Sequence, residues 1–133
     1  MIKTIDIQSG ETAGLYQYLS AAVTPRPIAF VSTIDAEGNE NLSPFSFFNV
    51  FSINPPILVF SPVRRVRNNT SKHTLDNVHQ VKECVISLVT EEIAQQVSLA
   101  SSDFDKETNE FEKAGFTAIK SDLISPSRIK ESP

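Results

Sequence analysis

The hydrophobic and polar positions of the chain predict several short strands with helices before and between them. Residues 28–34, 57–61 and 83–89 are short runs rich in β-branched and aromatic residues, which is typical of strands. Residues 40–52 form a further extended run that carries Phe45, Phe47, Phe48 and Phe51, and we predict a single strand there. Turn-forming residues at 35–39 join the first run to this one, so the pair is predicted to form a hairpin.

Helical periodicity is confined to short segments. The apolar side chains of Leu15, Tyr18, Leu19 and Ala22 recur at helical spacing, which predicts an amphipathic helix that is capped near Ser9 and ends before Pro25. Further along the chain, the sequence predicts a helical turn at 74–78, a helix opened by Glu91 and Glu92 with Ile93, Val97 and Ala100 on one face, a last turn at 110–115 ended by Gly115, and an extended segment at 116–124.

These elements predict a mainly β fold, an antiparallel β-barrel or sandwich with peripheral helices. A doubly wound parallel sheet is disfavoured, because a short turn rather than a crossover helix joins the first two strands. In addition, no G-x-G-x-x-G motif follows any strand, as a dinucleotide-binding βαβ unit would require.

Composition narrows the classes of function. The 133 residues suit a single domain, and the net charge of −4 lacks the basic excess that nucleic-acid binding requires. The single cysteine, Cys84, excludes an intramolecular disulfide and fits a reducing compartment. No run approaches the roughly 18 apolar residues of a membrane span, and the first residues lack the apolar core of a signal peptide, so we expect a cytoplasmic protein without membrane contact.

Several kinds of chemistry have no support in the sequence. His73 and His79 are six residues apart and lack a third nitrogen or sulfur ligand nearby, which disfavours a transition-metal site. Cys84 lies inside a β-branched run, where we expect a buried and inert thiol rather than a nucleophile. No serine has the G-x-S-x-G context of a hydrolase.

Three polar and aromatic groups of residues remain, and together they suit an anionic, planar ligand. They are Ser32 with Thr33 at a strand end, the run from Ser43 to Asn49, and the basic loop from Arg64 to Thr74. Each group also has a structural interpretation, which stays open here. The hydroxyls suit the outward side of a strand, the phenylalanines suit a core, and Arg64, Arg65, Arg67 and Lys72 suit a solvated loop.

The order and spacing of the motifs resemble one known family. The chain has T-P-R-P-I-A-F-V-S-T at 24–33, N-L-S-P-F-S-F-F-N at 41–49, N-P-P at 54–56 and K-x-T-x-x-N at 72–77. This set resembles the flavin reductase-like family, the FMN-binding split-barrel proteins that include flavoredoxin and the reductase components of two-component flavin monooxygenases. Residues 103–115 and 126–133 resemble the acidic segment of the family, which ends in E-F-x-x-A-G, and its P-x-x-x-x-x-x-P stretch.

The resemblance implies a split barrel of Greek-key type that holds FMN without a covalent bond, near the interface of a homodimer. On matching positions, Ser32 and Thr33 would face the ribityl chain or the phosphate. The polar edge of the flavin ring would meet Ser46, Phe47, Phe48 and Asn49. The phosphate would be bound by Lys72 and Thr74 with help from Arg65 or Ser71. His73 stands where the family commonly has aspartate, which removes a partner that would orient Lys72.

The resemblance also leads to expectations about the whole protein. Family members continue beyond the position of Pro133, so we expect the barrel here to lack its C-terminal strands. The expected reaction is reduction of bound flavin by NADH or NADPH, with a monooxygenase or electron-transfer protein as a further partner, and no residue is nominated as a general acid or base. The alternatives are an electron-transfer or flavin-delivery module that does not oxidise nicotinamide, and a truncated, non-catalytic family member.

Overall fold

The chain folds around antiparallel strands with helices on their faces. The computed structural model describes residues 4–8, 12–65, 69–105 and 107–133. In chain order the elements are α1 (Thr12–Ala22), β1 (Ala29–Ile34), β2 (Glu40–Phe45), β3 (Phe48–Ile53), β4 (Pro56–Phe60), α2 (His73–Val81), β5 (Val85–Leu88), a 3₁₀ turn (Glu91–Ile93), α3 (Ala94–Ala100), α4 (Glu110–Ala114), β6 (Ala118–Ile119) and β7 (Arg128–Ile129).

The central sheet has three antiparallel strands in the order β2-β1-β5. The predicted hairpin is confirmed, since β1 pairs with β2 from Ala29↔Phe45 to Ile34↔Glu40. The Asp35 carboxylate closes the turn, because it accepts hydrogen bonds from the backbone N–H groups of Glu37 and Asn39 at 3.0 and 2.8 Å. Gly38 completes this turn with a φ of 93°, a value that a side chain would disfavour.

The two faces of this sheet pack against different parts of the chain. Phe30 and Leu42 belong to the larger cluster, which α3, α4, Phe116 and Ile129 complete. Ala29, Val31 and Phe45 form a smaller cluster on the other face, with Phe48, Phe60, Cys84 and Ile86 packed against it. Because side chains alternate between the two faces of a strand, neighbouring residues of β1 and β2 pack in different clusters.

The predicted single strand at 40–52 is wrong. Residues 40–45 and 48–53 are separate strands, and β3 pairs with β4 in a two-stranded sheet rather than with β1. The pairing with β1 ends at Ala29↔Phe45, and the residues before Ala29 include Pro25 and Pro27, which lack the backbone N–H that a ladder needs. The chain consequently bends at residues 46 and 47 and leaves the central sheet.

The helices largely follow the sequence, with one change of extent. The predicted helical turn at 74–78 is instead the full helix α2, from His73 to Val81. The expected face of Ile93, Val97 and Ala100 is confirmed, because all of them are buried in one cluster. Gly115 ends α4 in the left-handed conformation, as expected, with a φ of 73°. The predicted cap at Ser9 lies outside the described residues.

Other expectations are only partly met. The extended segment at 116–124 contains only the short strand β6, which pairs with β7. The strand predicted at 83–89 is shortened to β5, Val85–Leu88. Cys84 is half-buried, and burial raises the pKa of its thiol. Within the described ranges, no helix is long and apolar enough to cross a membrane, and no group of His, Cys, Asp or Glu side chains could hold a metal ion.

Candidate functional site

Two buried hydrogen bonds fix helix α2 on the central sheet. The Asn41 amide donates to the Thr74 hydroxyl at 3.0 Å, and the Asn77 amide donates to the Thr33 hydroxyl at 3.1 Å. All four of these side chains are buried, so each amide satisfies a hydroxyl that has little contact with water. The pairs set the register of the helix against β1 and β2, and with it the position of Lys72 at the helix N-cap.

The N-terminus of α2 opens onto a polar cavity, which we call the anion cavity. Its volume is about 260 Å³. It is lined by Asn41, Ser43, Arg65, Lys72, His73, Thr74, Ala100, Ser101, Ser102, Asp103, Phe104 and Glu110. The first backbone amides of a helix have no intrahelical acceptor and carry a partial positive charge, which favours an anion at this end of α2. The volume is below the range of roughly 300–1,000 Å³ that is usual for whole ligands, so the cavity suits one polar part of a ligand.

Two cations converge on the anion cavity. Arg65 donates through Nε to Asp103 at 2.9 Å and through Nη1 to the backbone carbonyl of Ser71, and Nη2 lies 3.5 Å from His73 Nε2. Lys72 Nζ lies 5.1 Å from the centre of the Phe45 ring. Desolvation and the nearby Arg65 charge lower the pKa of Lys72, while Asp103 acts in the opposite direction. An anion placed between the two cations would oppose this lowering of the pKa, because it favours the charged form of Lys72.

A buried carboxyl group completes the polar lining. Glu110 Oε2 accepts a hydrogen bond from the backbone N–H of Leu42 at 3.2 Å. Desolvation raises the pKa of Glu110 in spite of this hydrogen bond. The carboxyl group thus connects α4 to β2. Because it ionises less readily than an exposed carboxyl group, it places less negative charge beside the anion cavity.

A second cavity, which we call the aromatic cavity, lies where the chain leaves β2. Its volume is about 320 Å³, and it is lined by Val23, Pro25, Arg26, Pro27, Ser46, Phe47, Phe48, Asn49, Phe51, Val59 and Ser61. The Arg26 guanidinium lies 5.5 Å from the centre of the Phe47 ring. The Tyr16 ring also contacts Phe47, with 5.9 Å between the two ring centres. The cavity therefore offers aromatic faces and a cation to a planar group.

The end of β2 connects the two cavities. Ser43 lines the anion cavity, Ser46 lines the aromatic cavity, and Phe45 lies between them under Lys72. Three residues of extended chain span roughly 10 Å, so the cavities are near neighbours. One ligand with an anionic end and a planar end could contact both.

The structure divides the predicted site residues among three places. Arg65, Lys72 and Thr74 meet in the anion cavity. The four predicted ring contacts, Ser46, Phe47, Phe48 and Asn49, meet in the aromatic cavity. Ser71 lines neither cavity among those described, and its hydroxyl donates to Asp76 at 3.1 Å, but its carbonyl holds Arg65.

Ser32 and Thr33 do not share one environment. Ser32 Oγ donates to the backbone carbonyl of Ser127 on one face of the sheet, whereas Thr33 faces α2 on the other. Their exposed fractions are 1% and 0%, so the interpretation as outward-facing strand residues is wrong. Their role towards a ligand stays a prediction, and in this structure Thr33 acts on the anion cavity only through α2.

The structural interpretation of a solvated basic loop also fails for two of its members. Arg65 has a side-chain exposure of 20% and Lys72 is half-buried, whereas Arg64 is exposed. Arg67 lies outside the described residues. The phenylalanines divide, since Phe45 is core while Phe51 is 69% exposed.

Sequence reasoning missed the residues that come from distant segments. Asn41, Asp103 and Glu110 all line the anion cavity, but none of them was predicted to contact a ligand. Ser43, which lines the same cavity, was included only as the first residue of the run from Ser43 to Asn49. Asn41 and Ser43 lie inside the N-L-S-P-F motif, so proximity to a motif was the available signal for them. Asp103 and Glu110 are far from these motifs in the sequence, and only the tertiary fold brings them to the anion cavity.

The groups that line the two cavities can be compared with the phosphate and the ring system of FMN. A phosphate group carries a charge near −2 and is best bound by cations together with hydroxyl and backbone donors, all of which the anion cavity provides. The aromatic cavity offers apolar and aromatic surface to a ring system, with amide and hydroxyl groups of Asn49 and Ser46 at its edge. The residues therefore fit both ends of the cofactor.

Comparison with solved structures defines the class of the fold. Nitrilotriacetate monooxygenase component B from Bacillus cereus matches with a TM-score of 0.89 and 28% identity, over 99% of this chain and 64% of that chain. The 2-nitrobenzoate 2-nitroreductase of Pseudomonas fluorescens matches with a TM-score of 0.80 and 30% identity, over 98% of this chain and 61% of that chain. The predicted mainly β class is confirmed, and the fold is the split barrel of the flavin reductases.

Sequence comparison then identifies the family. The model of the flavin reductase like domain matches residues 21–133, and the chain belongs to this family. A relative from Aquifex aeolicus (strain VF5) is 45% identical over 123 residues, which are 91% of this chain and 62% of the relative. The chain thus spans under two thirds of the length of this relative and of the two solved structures described above. Family membership supports a role that involves flavin and suggests oxidoreductase chemistry.

Proposed function

We propose that the protein binds FMN, with the phosphate in the anion cavity and the ring system in the aromatic cavity. The observation that carries this proposal is the convergence of Arg65 and Lys72 with the N-terminus of α2 on one cavity, a short distance from Phe47 and Phe48. Thr74 contributes a hydroxyl that accepts a hydrogen bond from the Asn41 amide, which leaves its own O–H to donate to another acceptor.

We further propose that NADH or NADPH reduces the bound flavin. The cofactor would supply hydride acceptance, and the residues of this chain would bind it, orient it and exclude water from its ring. Arg26, stacked on Phe47, places a positive charge beside the aromatic cavity, where it would stabilise negative charge on a reduced ring. A cytoplasmic location fits a protein with one half-buried thiol.

A homodimer with flavin near its interface is part of the same proposal. Six apolar side chains on β3 and β4 are from 42% to 87% exposed: Val50, Phe51, Ile53, Ile57, Leu58 and Val59. Such a surface is unusual on a protein that remains alone. Phe51 and Val59 also line the aromatic cavity, so a second copy seated on this hairpin would stand beside the proposed ring position.

The proposal is tested first by binding. Purified protein is saturated with FMN and dialysed, and bound flavin is measured by absorbance. We expect retention near one FMN per chain, and a marked loss in Lys72→Met, with Lys82→Met as the matched control because Lys82 lies exposed at the other end of α2. Absence of retained flavin in the wild-type protein would contradict the proposal.

A second experiment separates reductase from carrier. FMN-loaded protein is mixed with NADH or NADPH without oxygen, and the flavin absorbance is followed. Prompt bleaching supports reduction by nicotinamide. Bleaching only by a reduced partner protein favours an electron-transfer or flavin-delivery module, and a monooxygenase partner is then the candidate acceptor.

A further inference from the structure

We infer that Asp103 competes with the ligand phosphate for Arg65 and so sets the affinity and selectivity of the anion cavity. This inference rests on the proposed function. The direct observation is the ion pair between Arg65 Nε and Asp103 Oδ1 at 2.9 Å, inside the cavity that Lys72 and Thr74 also line. The Asp103 carboxylate thereby occupies one of the donor edges that a phosphate oxygen would use.

Arg65 does not depend on Asp103 for its position. Its Nη1 donates to the backbone carbonyl of Ser71 and lies 3.4 Å from the hydroxyl of Thr70. The backbone of Arg65 also exchanges hydrogen bonds with the same loop, since its N–H donates to the Thr70 carbonyl at 2.9 Å. The guanidinium is thus held from the loop side, and its Nε edge is free to exchange one oxygen partner for another.

The two members of the ion pair differ in exposure. The Arg65 side chain is 20% exposed, whereas Asp103 is 63% exposed. Exposed ion pairs contribute little to stability because water solvates the separated charges well. Asp103 can therefore turn towards solvent at small cost in free energy. The half-buried cations Arg65 and Lys72 would still be stabilised by a bound anion.

Asp103 acts on Lys72 as well as on Arg65. Its charge raises the pKa of Lys72 against the lowering by burial and by Arg65. The same carboxylate therefore reduces the positive potential of the whole anion cavity. A ligand that brings a phosphate charge of −1.5 to −2 would be repelled by it, and a ligand without a phosphate would not.

The test compares FMN with riboflavin, which lacks the phosphate, by titration of flavin fluorescence. In Asp103→Asn we expect FMN to bind about 5- to 20-fold more tightly, the effect of removing a unit charge near a phosphate in a water-like dielectric, and riboflavin binding to be unchanged. Asp105→Asn is the control, because it removes the same charge two residues away on a residue that does not line the anion cavity. Asp103→Ser repeats the experiment without a side-chain amide.

Each outcome has a defined meaning. Unchanged or weaker FMN binding in both Asp103 variants overturns the inference, as does an equal effect of Asp105→Asn. If the wild type binds FMN and Lys72→Met loses it, the proposed function stands whatever Asp103 does. If the wild type binds neither FMN nor inorganic phosphate, which is measured by calorimetry, the proposed function and this inference both fail.

Discussion

The two hydrogen bonds that fix α2 allow a matched test of how the fold positions the anion cavity. Asn41→Ala and Asn77→Ala each remove one amide that donates to a buried hydroxyl, at 3.0 and 3.1 Å respectively. A buried hydroxyl without its partner costs about 1–3 kcal/mol, so both variants should lose that much stability. For a chain of this size, this predicts a fall in Tm of roughly 3–15 °C, measured by thermal denaturation.

The two variants should differ in ligand binding. Asn41 orients Thr74 and lines the anion cavity, whereas Asn77 bonds to Thr33 away from that cavity. Loss of one oriented hydrogen bond corresponds to about 0.5–1.5 kcal/mol, so FMN should bind roughly 2- to 12-fold more weakly to Asn41→Ala and nearly normally to Asn77→Ala. Fluorescence titration at a temperature where both variants are folded measures this. Equal losses of affinity in the two variants would refute the assignment of Thr74 to the site.

Three further predictions concern charge and backbone conformation. The lowered pKa of Lys72 means that FMN affinity should fall as pH rises through that pKa, because the neutral amine no longer attracts phosphate; the fall should disappear in Lys72→Met titrated over the same pH range. Burial raises the pKa of Glu110 above its ordinary value of 4.5. Between pH 4.5 and this raised pKa, the folded state therefore binds more protons than the unfolded state. Stability should therefore decline as pH rises through that window, by at most about 1.4 kcal/mol per pH unit, and denaturant titrations of Glu110→Gln should show a flatter profile. Gly115→Ala should lose about 1–2 kcal/mol, because φ is 73° there, whereas Gly14→Ala, in helix α1 with nothing within 4 Å of the added Cβ, should be neutral or stabilising in the same denaturant assay.

Local patterns were sufficient for the elements that neighbouring residues determine. The hairpin of β1 and β2 follows from alternating side chains around a turn at Asp35 and Gly38. The buried face of α3 follows from helical spacing. The run of phenylalanines misled the prediction, because a strand that ends at Phe45 and another that starts at Phe48 look continuous in composition. They are separated only because the pairing with β1 ends at Phe45 and the next strand pairs with β4 instead.

The candidate site was predictable only in part, for the same physical reason. Lys72 and Thr74 lie in one motif, and the helix that they start brings both to one cavity. Asp103 and Glu110 reach that cavity because α3 and α4 pack against β2, the edge strand of the central sheet, which α2 also contacts. Such an approach depends on the packing of the whole core, and no spacing along the chain encodes it.

The net charge of the chain and the charge of its candidate site have opposite signs, and this contrast determines how the site would recognise an anion. A chain of net charge −4 repels phosphate at long range, but salt screens that repulsion beyond about 8 Å at physiological ionic strength. Within that distance the half-buried Arg65 and Lys72 dominate, because partial desolvation strengthens their attraction for a group that reaches them. The exclusion of nucleic acid on net charge therefore concerns the surface as a whole. A small ligand whose single phosphate enters the anion cavity meets the local field instead, and Asp103, at the solvent side of that field, is the residue best placed to set its strength.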